Sequence, residues 1–423
     1  MSGMGILMVV NIERLFSKRA KTLKTSEIRE LLKVTQVPDM ISFAGGLPNP
    51  NAFPVDIIHE CIEKIFKKNI YQALQYGTTE GLTSLRGALA DSMKKNKNID
   101  CEYHDILITS GAQQALSLLA LCLLDPGDTY IANVPAYLGA IQAFSAYQAN
   151  CEALPTNHAG IDTDSLRRNI ERLRRTGINP KFIYTVPNFN NPSGETINLK
   201  QRKELLEIAS EYDFLIIEDD PYGSIIFEGE KIPTIKSLDK RGRVVYIGTF
   251  SKILAPGFRL GWIIASKDIR EKITLAKQAT DLCTNVFAQY VAYEYINGGY
   301  LNKHVEKIRV MYKRKRDIML QCLREYLPKE VDWTIPKGGM FIWLTLPKNI
   351  DAHVMFQKAL TKKVAYVVGD AFYPEGGSYN TMRLNFSYSN DETIKIGIKR
   401  LAEVINEEMQ APYQKEPYMP EGV

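Results

Sequence analysis

Short, continuously apolar runs alternate with longer amphipathic stretches through the middle of the chain. Runs that are apolar throughout are typical of strands covered on both faces, and their alternation with helical patterns favours a mostly parallel sheet. The predicted strands lie at residues 106–109, 130–133, 181–186, 214–218, 243–248 and 262–265. The chain is therefore predicted to have an α/β fold, with helices on both faces of a central sheet.

The pattern changes after about residue 290. A long charged helical stretch runs to residue 324, a β-rich stretch covers 333–346, and a last helix is predicted over 391–409. This order indicates a second, smaller α+β domain. Near the amino terminus, Ser26 is a candidate helix cap, and Arg29 falls off the apolar stripe of that helix.

We expect three segments from these changes of pattern. Residues 1–50 form an amino-terminal arm and a helix that contribute to the small domain. Residues 51–295 form the large domain, and residues 296–423 form the carboxyl-terminal small domain.

Bulk composition excludes several classes of protein. The chain of 423 residues is 45% hydrophobic and 24% charged, which is a globular balance, and its net charge of +5 gives no reason to invoke nucleic acid or a membrane surface. The longest apolar run, 115–124, is well below the length of a membrane span. Six scattered cysteines without a C-x-x-C pair suggest neither zinc nor a disulfide framework, and we expect a cytoplasmic protein.

Polar residues recur where the predicted strands end, which is where open α/β sheets place their ligand crevice. Ser110, Gly111, Ala112 and Gln113 form a small-residue turn into a helix, whose free N–H groups attract a phosphate. A simple helix cap explains the same turn equally well. The asparagine-rich stretch at 188–194 is usually only a turn.

Three acidic residues, Glu218, Asp219 and Asp220, follow another predicted strand. Carboxylates at the end of a buried strand are costly unless they are paired. Asp219 can pair with a protonated heterocyclic nitrogen, whereas a structural salt bridge or a metal ligand is the alternative. The five histidines are dispersed, so neither a metal set nor a histidine-centred triad is supported.

Lys252 lies in a loop of small residues directly after the run at 243–248. A lysine acts as a nucleophile only when its amine sheds a proton near neutral pH, and burial beside Arg259 favours that state. Thr249 and Ser251, together with the guanidinium, can hold a phosphate. The segment therefore suits a covalently held, phosphorylated cofactor, although a solvated surface lysine is the plain alternative.

Taken together, these segments resemble the fold-type-I, class I/II pyridoxal-phosphate aminotransferases, and the likeness extends from about Arg29 to the last helix. Within that family, residues 42–50 and 74–76 are similar to the kynurenine/2-aminoadipate, multiple-substrate branch. The motifs that carry the resemblance are residues 249–261, 218–222, 191–194, 110–114 and 382–386.

The resemblance implies how pyridoxal 5′-phosphate is held. Lys252 would bind it covalently and transfer the substrate proton, and Asp219 would keep its ring nitrogen protonated. Asn191 and Tyr222 would hydrogen-bond its phenolic oxygen, and Tyr137 would stack on its ring. The phosphate ligands implied are Ser110, Gly111, Ala112, Gln113, Thr249, Ser251, Arg259 and, from a second subunit, Tyr76. Many relatives carry a hydroxyl where this chain has Ala112, which leaves the backbone to act there.

The resemblance also implies the substrate contacts. Arg383 would bind the substrate α-carboxylate as a bidentate pair. Asn191, Gly46, Arg29 and Tyr76 correspond to positions close to the substrate, although for Arg29 an exposed helix charge is an equal alternative. Because Tyr76 reaches the neighbouring subunit in this family, a homodimer with shared active sites is implied.

The function expected from the resemblance is a transaminase. It moves the amino group of an aromatic amino acid, kynurenine or 2-aminoadipate to a 2-oxo acid, with 2-oxoglutarate as the expected acceptor, through the pyridoxamine form of the cofactor. One alternative is a different reaction on the same cofactor, such as a β-lyase. Another is a non-enzymatic regulator that senses the cofactor, although the segment before Ser26 is shorter than a helix-turn-helix domain.

Overall fold

A computed structural model describes residues 12–23, 38–157 and 160–410, with only the backbone described at Asn157. Its strands are β1 Ile41–Ser42, β2 Ile106–Thr109, β3 Thr129–Val134, β4 Asn150–Asn157, β5 Gly160–Ile161, β6 Phe182–Thr185, β7 Leu215–Asp219, β8 Val244–Thr249, β9 Gly261–Ile264, β10 Asp332–Trp333, β11 Phe341–Thr345, β12 Val364–Ala365, β13 Val367–Val368 and β14 Thr381–Asn385.

Helices fill most of the chain between these strands. They are α1 Lys18–Thr22, α2 Val55–Lys68, α3 Ile70–Ala73, α4 Thr83–Lys97, α5 Ala112–Leu123, α6 Leu138–Ser145, α7 Thr163–Arg175, α8 Leu199–Tyr212, α9 Ile235–Leu238, α10 Lys267–Asp281, α11 Val286–Asn297, α12 Tyr300–Tyr326, α13 Ala352–Thr361 and α14 Asp391–Gln410.

The central sheet has eight strands in the order β2-β9-β8-β7-β6-β3-β4-β5. Strands β8, β7, β6, β3 and β4 are parallel neighbours, whereas β9 is antiparallel to both β8 and β2. Side chains alternate between two apolar layers: Tyr130 and Ala132 of β3 join the larger core, while Ile131 between them joins a second cluster with Ile170 and Leu205. The mostly parallel α/β sheet predicted from the apolar runs is therefore confirmed.

All six predicted strands are present, each within one residue of its predicted ends. The sequence did not reveal β4, which lies beside the short edge strand β5. Its sequence carries Asn150, Glu152 and Pro155, and the strand is only partly buried, so it lacks the continuous apolar run of its neighbours.

A smaller four-stranded sheet has the order β10-β11-β14-β13 and packs with the carboxyl-terminal helices. The predicted charged helical stretch after residue 290 is divided into α11 and α12 at Gly298 and Gly299, where Gly299 has φ +72°. Such a backbone conformation suits glycine and ends a helix. The strand β1 near the amino terminus pairs in parallel with β12.

Two features of the described residues relate to the expectations from composition. No helix in the three described ranges is long and apolar enough to span a membrane. Within the same ranges, no group of three or more histidine, cysteine or acidic side chains is placed to hold a metal ion. All six cysteines are free.

Candidate active site

The carboxyl ends of β2, β3, β6, β7 and β8 meet around one cavity of about 260 Å³. Loops at one edge of an α/β sheet converge in this way because the strands run in the same direction. The cavity is lined by Gly46, Ala112, Gln113, Tyr137, Val186, Asn191, Asp219, Pro221, Tyr222, Thr249, Ser251, Lys252, Pro256, Arg259 and Arg383.

The first wall is the start of α5, which begins at Ala112 directly after Gly111. Gly111 has φ +79°, and a Cβ at this position would lie 2.7 Å from Nη2 of Arg259. Gly261 is equally constrained, since a Cβ there would lie 2.9 Å from the backbone nitrogen of Ala112. The two glycines thus let the lysine loop and Arg259 approach the first amides of α5, where an anion is favoured.

A polar cluster supports this turn from behind. Asp281 accepts hydrogen bonds from the Ser110 hydroxyl at 3.2 Å and the Gln114 amide at 2.6 Å, and Lys277 donates to its second oxygen at 2.6 Å. Gln114 in turn accepts from the Ser110 backbone N–H at 2.7 Å. Ser110 therefore faces Asp281 and does not line the cavity.

The second wall is the loop after β8. The hydroxyls of Thr249 and Ser251 are 3.0 Å apart, and the Ser251 N–H donates to the Thr249 hydroxyl. The amine of Lys252 donates to the carbonyl oxygen of Gly46 at 2.8 Å. Burial, and then the nearby cations Arg383 and Arg259, lower the pKa of Lys252 to about 8. About a tenth of this amine is therefore uncharged at pH 7, far more than for a lysine in water.

The three consecutive carboxylates after β7 have three different environments. Glu218 accepts the backbone N–H groups of Ile235 and Lys236 at 2.9 and 2.7 Å, at the start of α9. Asp220 forms a buried ion pair with Lys97, with 2.7 Å between Nζ and Oδ2. Burial alone disfavours the charged form, but Lys97 and three further hydrogen bonds hold the pKa of Asp220 below its ordinary value.

Asp219 differs from its neighbours because one of its oxygens is unpaired. Its Oδ2 accepts from the Tyr184 hydroxyl at 2.9 Å, whereas Oδ1 is buried and has no hydrogen-bond partner among the described residues. Burial raises the pKa of Asp219 to about 7. A cation placed in the cavity beside this oxygen would satisfy it and favour the ionised carboxylate.

Aromatic and amide groups surround the space between Lys252 and Asp219. Burial raises the pKa values of Tyr137 and Tyr222, so both hydroxyls stay protonated and can donate hydrogen bonds. The Tyr222 side chain also hydrogen-bonds Asn191. A planar ring with an oxygen substituent fits such a surrounding.

Arg383 closes the cavity from β14. It is 1% exposed, its Nη1 donates to Asn191 Oδ1 at 2.8 Å, and Nη2 donates to the Ala44 carbonyl. Its guanidinium carbon lies 4.4 Å from the ring centre of Phe341, and the Nε atom lacks a partner among the described residues. Burial lowers the pKa of Arg383 to about 10, yet it remains a cation at neutral pH.

Most site residues singled out in the sequence line this cavity, whereas Ser110, Gly111 and Tyr76 do not. Gly111 lies behind Arg259 at the cavity edge, and Tyr76 is 79% exposed and away from the cavity lining. Arg29 and the helix cap Ser26 lie outside the described residues.

Sequence reasoning missed three contributors to the site. Tyr184, the partner of Asp219, lies inside a predicted strand that also contains Lys181 and Thr185, so its hydroxyl did not stand out in the sequence. Phe341 beneath Arg383 and Asp281 behind the phosphate turn gave no signal, because each is more than 40 residues from the group it contacts.

The residues present fit pyridoxal 5′-phosphate in three respects. The free oxygen of Asp219 can pair with a protonated ring nitrogen, Tyr222 and Asn191 can bind a phenolic oxygen, and the start of α5 beside Arg259 can bind a phosphate. Lys252 lies in the same cavity with an amine that can lose its proton.

Comparison with known proteins points to the same chemistry. The family described as aminotransferase class I and II matches residues 49–401. The chain is 50% identical to aromatic-amino-acid aminotransferase 1 of Thermococcus litoralis, over 95% of this chain and 96% of that protein.

Two solved structures of aminotransferases superpose on the chain. A kynurenine aminotransferase from Pyrococcus horikoshii, solved in complex with PMP, KYN and KYA, shares 50% identity with a TM-score of 0.92, over 95% of this chain and 99% of that one. An α-aminoadipate aminotransferase from Thermus thermophilus, complexed with N-(5′-phosphopyridoxyl)-L-leucine, shares 36% identity with a TM-score of 0.86, over 94% of this chain and 98% of that one.

Proposed function

This chain belongs to the class I and II aminotransferases, and from that premise we propose the residue roles and the assembly described below. The chain is a transaminase that uses pyridoxal phosphate, amino acids and 2-oxo acids, and its relatives indicate broad specificity. One observation carries the residue assignment: the Lys252 amine, the unpaired oxygen of Asp219 and the buried Arg383 guanidinium border a single cavity.

We assign cofactor binding to groups on both sides of this cavity. Asp219 pairs with the ring nitrogen, Tyr222 and Asn191 bind the phenolic oxygen, and Tyr137 stacks on the ring. The phosphate is bound by the amides of Gly111, Ala112 and Gln113, by the hydroxyls of Thr249 and Ser251, and by Arg259. Ser110 supports that turn through Asp281.

When bound, pyridoxal phosphate supplies an electron sink for the α-carbon and accepts the amino group. Lys252 acts on the proton of the α-carbon, since its pKa of about 8 lets Nζ both take up and return a proton near neutral pH. Asp219 holds the cationic form of the ring nitrogen by its charge. Proton transfer between fixed groups of this kind needs both a matched pKa and a fixed geometry.

Arg383 binds the α-carboxylate of the substrate. Its position over Phe341 and its hydrogen bond to Asn191 fix the plane of the guanidinium, so that a carboxylate is bound as a fork. The fixed carboxylate then orients the α-hydrogen towards Lys252, and Gly46, whose carbonyl accepts from Lys252, leaves room beside it.

We propose aromatic amino acids, kynurenine and 2-aminoadipate as donors and 2-oxoglutarate as an acceptor. The proposal is supported by the aromatic walls of the cavity, which include Tyr137 and Tyr222, and by the names of the relatives. A contribution of Arg29 to acidic or long polar donors remains part of this proposal, outside the described residues.

The chain is proposed to work as a homodimer with shared active sites. Tyr71, Leu74 and Tyr76 are 87%, 73% and 79% exposed within six residues of sequence, and apolar side chains grouped in this way usually mark an interface. In that dimer Tyr76 would reach the phosphate and the substrate of the partner site. Sedimentation velocity tests this: a monomer at micromolar concentration, with full activity, would rule it out.

The cellular location and the domain division are also proposals. The six free cysteines support a reducing, cytoplasmic location. The division into residues 1–50, 51–295 and 296–423 is supported by the two separate sheets and by the pairing of β1 with β12.

The absorbance spectrum of the purified protein tests the whole assignment. A visible cofactor band should change when kynurenine or 2-aminoadipate is added and return when 2-oxoglutarate follows. The Lys252→Ala variant should lose turnover while its thermal unfolding midpoint stays the same as that of the wild type. A wild-type protein that shows no such band after addition of pyridoxal phosphate would contradict the assignment. A band that an amino acid changes without any recovery on adding 2-oxo acids would favour a lyase.

A further inference from the structure

We propose that Asp220, which does not line the cavity, is a positioning residue that holds together three of the chain segments carrying the cofactor contacts: the turn after β7, the loop with Asn191 and the end of β8. The inference rests on the proposed function, because it concerns how Asp219, Tyr222, Asn191 and Lys252 are held in place. Its basis is a set of four hydrogen bonds to one buried carboxylate.

One oxygen of Asp220 links two of these segments. Its Oδ1 accepts the backbone N–H of Gly223 at 3.0 Å and the Asn188 side-chain amide at 2.8 Å. Gly223 directly follows Tyr222, so the first bond closes the turn that carries that hydroxyl. Asn188 precedes Asn191 by three residues, so the second bond connects that turn to the loop bearing the amide.

The other oxygen adds the segment that leads to the lysine. Asp220 Oδ2 accepts the Tyr246 hydroxyl at 3.0 Å and the Lys97 amine at 2.7 Å. Tyr246 lies in β8, whose end leads into the loop of Lys252. The backbone N–H of Asp220 also donates to the Ile247 carbonyl at 3.0 Å, so β8 is held by two separate contacts.

A second buried group fixes the far side of this arrangement. Arg202 is fully buried, and its guanidinium donates to the Asn188 side-chain oxygen at 2.6 Å and to the Pro187 carbonyl at 3.0 Å. Both polar ends of the Asn188 side chain are therefore held, one by Asp220 and one by Arg202. The loop that carries Asn191 cannot shift without breaking one of these bonds.

Stability alone does not account for the ion pair between Lys97 and Asp220. Both residues are buried, with exposures of 7% and 6%, and replacing such a pair by apolar groups of similar volume is often neutral or stabilising. A carboxylate accepts several hydrogen bonds at once, which an apolar side chain cannot do. We infer that Asp220 is retained because its two side-chain oxygens gather donors from separate chain segments, and that Lys97 offsets the buried charge.

Two double variants separate the effect of the hydrogen bonds to Asp220 from the effect of the two buried charges. Lys97→Met with Asp220→Asn removes both charges, but the asparagine oxygen can still accept from Gly223 and Asn188, and its amide can donate to the Tyr246 oxygen. Lys97→Met with Asp220→Leu removes the same charges and all these bonds, while position 220 keeps the same number of side-chain heavy atoms. Lys236→Met is the matched single control, since that amine is also largely buried and donates to the Val244 carbonyl, at the other end of β8.

The measurements are the affinity of the cofactor-free protein for pyridoxal 5′-phosphate and the circular dichroism of the bound cofactor's visible band, which reports how firmly the ring is held. The asparagine variant and the control should behave like wild type. The leucine variant should bind the cofactor about tenfold more weakly or worse, as expected for displaced contacts, with reduced circular dichroism.

Equal values for the two double variants would overturn the proposal, whether both match wild type or both are impaired to the same degree. If the leucine variant does not fold, Asn188→Ala replaces it: this change keeps the ion pair but cuts the link to the Asn191 loop, and unaltered affinity and circular dichroism would then refute the idea. A wild-type protein that fails to bind pyridoxal 5′-phosphate would instead count against the proposed function itself.

Discussion

The guanidinium of Arg259 packs directly against the backbone of Gly111, so closely that a Cβ at position 111 would lie 2.7 Å from Nη2 and 3.1 Å from Cζ. Both groups adjoin the first turn of α5, where free backbone amides and the helix dipole favour an anion. The fit between them therefore sets how near the cation lies to the proposed phosphate site.

Gly111→Ala should weaken the binding of pyridoxal 5′-phosphate by about tenfold or more, because Arg259 must move away from the turn. Gly177→Ala is the matched control: its φ of +80° equals that of Gly111 within a degree, but nothing lies within 4 Å of its added Cβ. The positive φ should cost each alanine variant about 1 to 3 kcal/mol of stability. Titration of the cofactor-free proteins would measure the affinities, and equal losses in the two variants would refute the role of Arg259.

Asp219→Asn should stabilise the cofactor-free protein increasingly as the pH rises. Burial raises the pKa of Asp219 from 3.8 to about 7, so between these values the unfolded chain has lost a proton that the folded protein retains. The free energy of unfolding of the wild type therefore falls with rising pH over this window. The size of the pKa shift limits this fall to roughly a few kcal/mol. The asparagine variant lacks this contribution, while Glu218, whose pKa burial also raises to about 7, contributes equally in both proteins.

Thermal unfolding of both proteins between pH 4 and pH 8 would measure the difference. Saturation with pyridoxal 5′-phosphate should reverse the order of stability, since a protonated ring nitrogen then compensates the carboxylate. A constant difference between the two proteins at every pH, with and without cofactor, would contradict the assignment of Asp219.

Capture of pyridoxal 5′-phosphate by the cofactor-free protein should speed up with pH through a midpoint near pH 8 and level off roughly one pH unit above it. The amine of Lys252 reacts only when it is uncharged, and burial with the neighbouring Arg383 and Arg259 lowers its pKa to about 8. Arg383→Gln removes one of these cations and should move the midpoint to higher pH, whereas Arg383→Lys keeps the charge. Stopped-flow absorbance would give the midpoint of the rate against pH for each protein. A wild-type midpoint near the pKa of a free lysine would contradict the assigned burial of Lys252 beside two cations.

Arg383→Lys should lower kcat/KM for every amino acid by about a hundredfold, because an ammonium group lacks the fork that fixes a carboxylate. Affinity for pyridoxal 5′-phosphate should change little. Arg316→Lys serves as the control, since Arg316 is also buried but donates to the Pro336 carbonyl and to Glu228. Steady-state kinetics with an aromatic donor would decide, and similar losses in both variants would mean that Arg383 has only a structural role.

Sequence alone determined the fold class of this protein and the strands that build its central sheet. Strands covered on both faces must be apolar along their whole length, so the runs at β2, β3, β6, β7, β8 and β9 could be recognised without any knowledge of their partners. The half-buried strand β4 obeys no such rule, and it was missed. The shared direction of the parallel strands also predicted that polar residues at their carboxyl ends would lie close together.

Only the tertiary structure decided what each polar residue does there. In the sequence, Glu218, Asp219 and Asp220 are simply three consecutive carboxylates. Other chain segments supply backbone amides to Glu218 and a lysine to Asp220, whereas one oxygen of Asp219 has no partner among the described residues. The contact between Gly111 and Arg259 likewise joins residues 148 positions apart. Local sequence patterns report whether a segment is buried, but the partner of a buried charge depends on how remote segments pack against it.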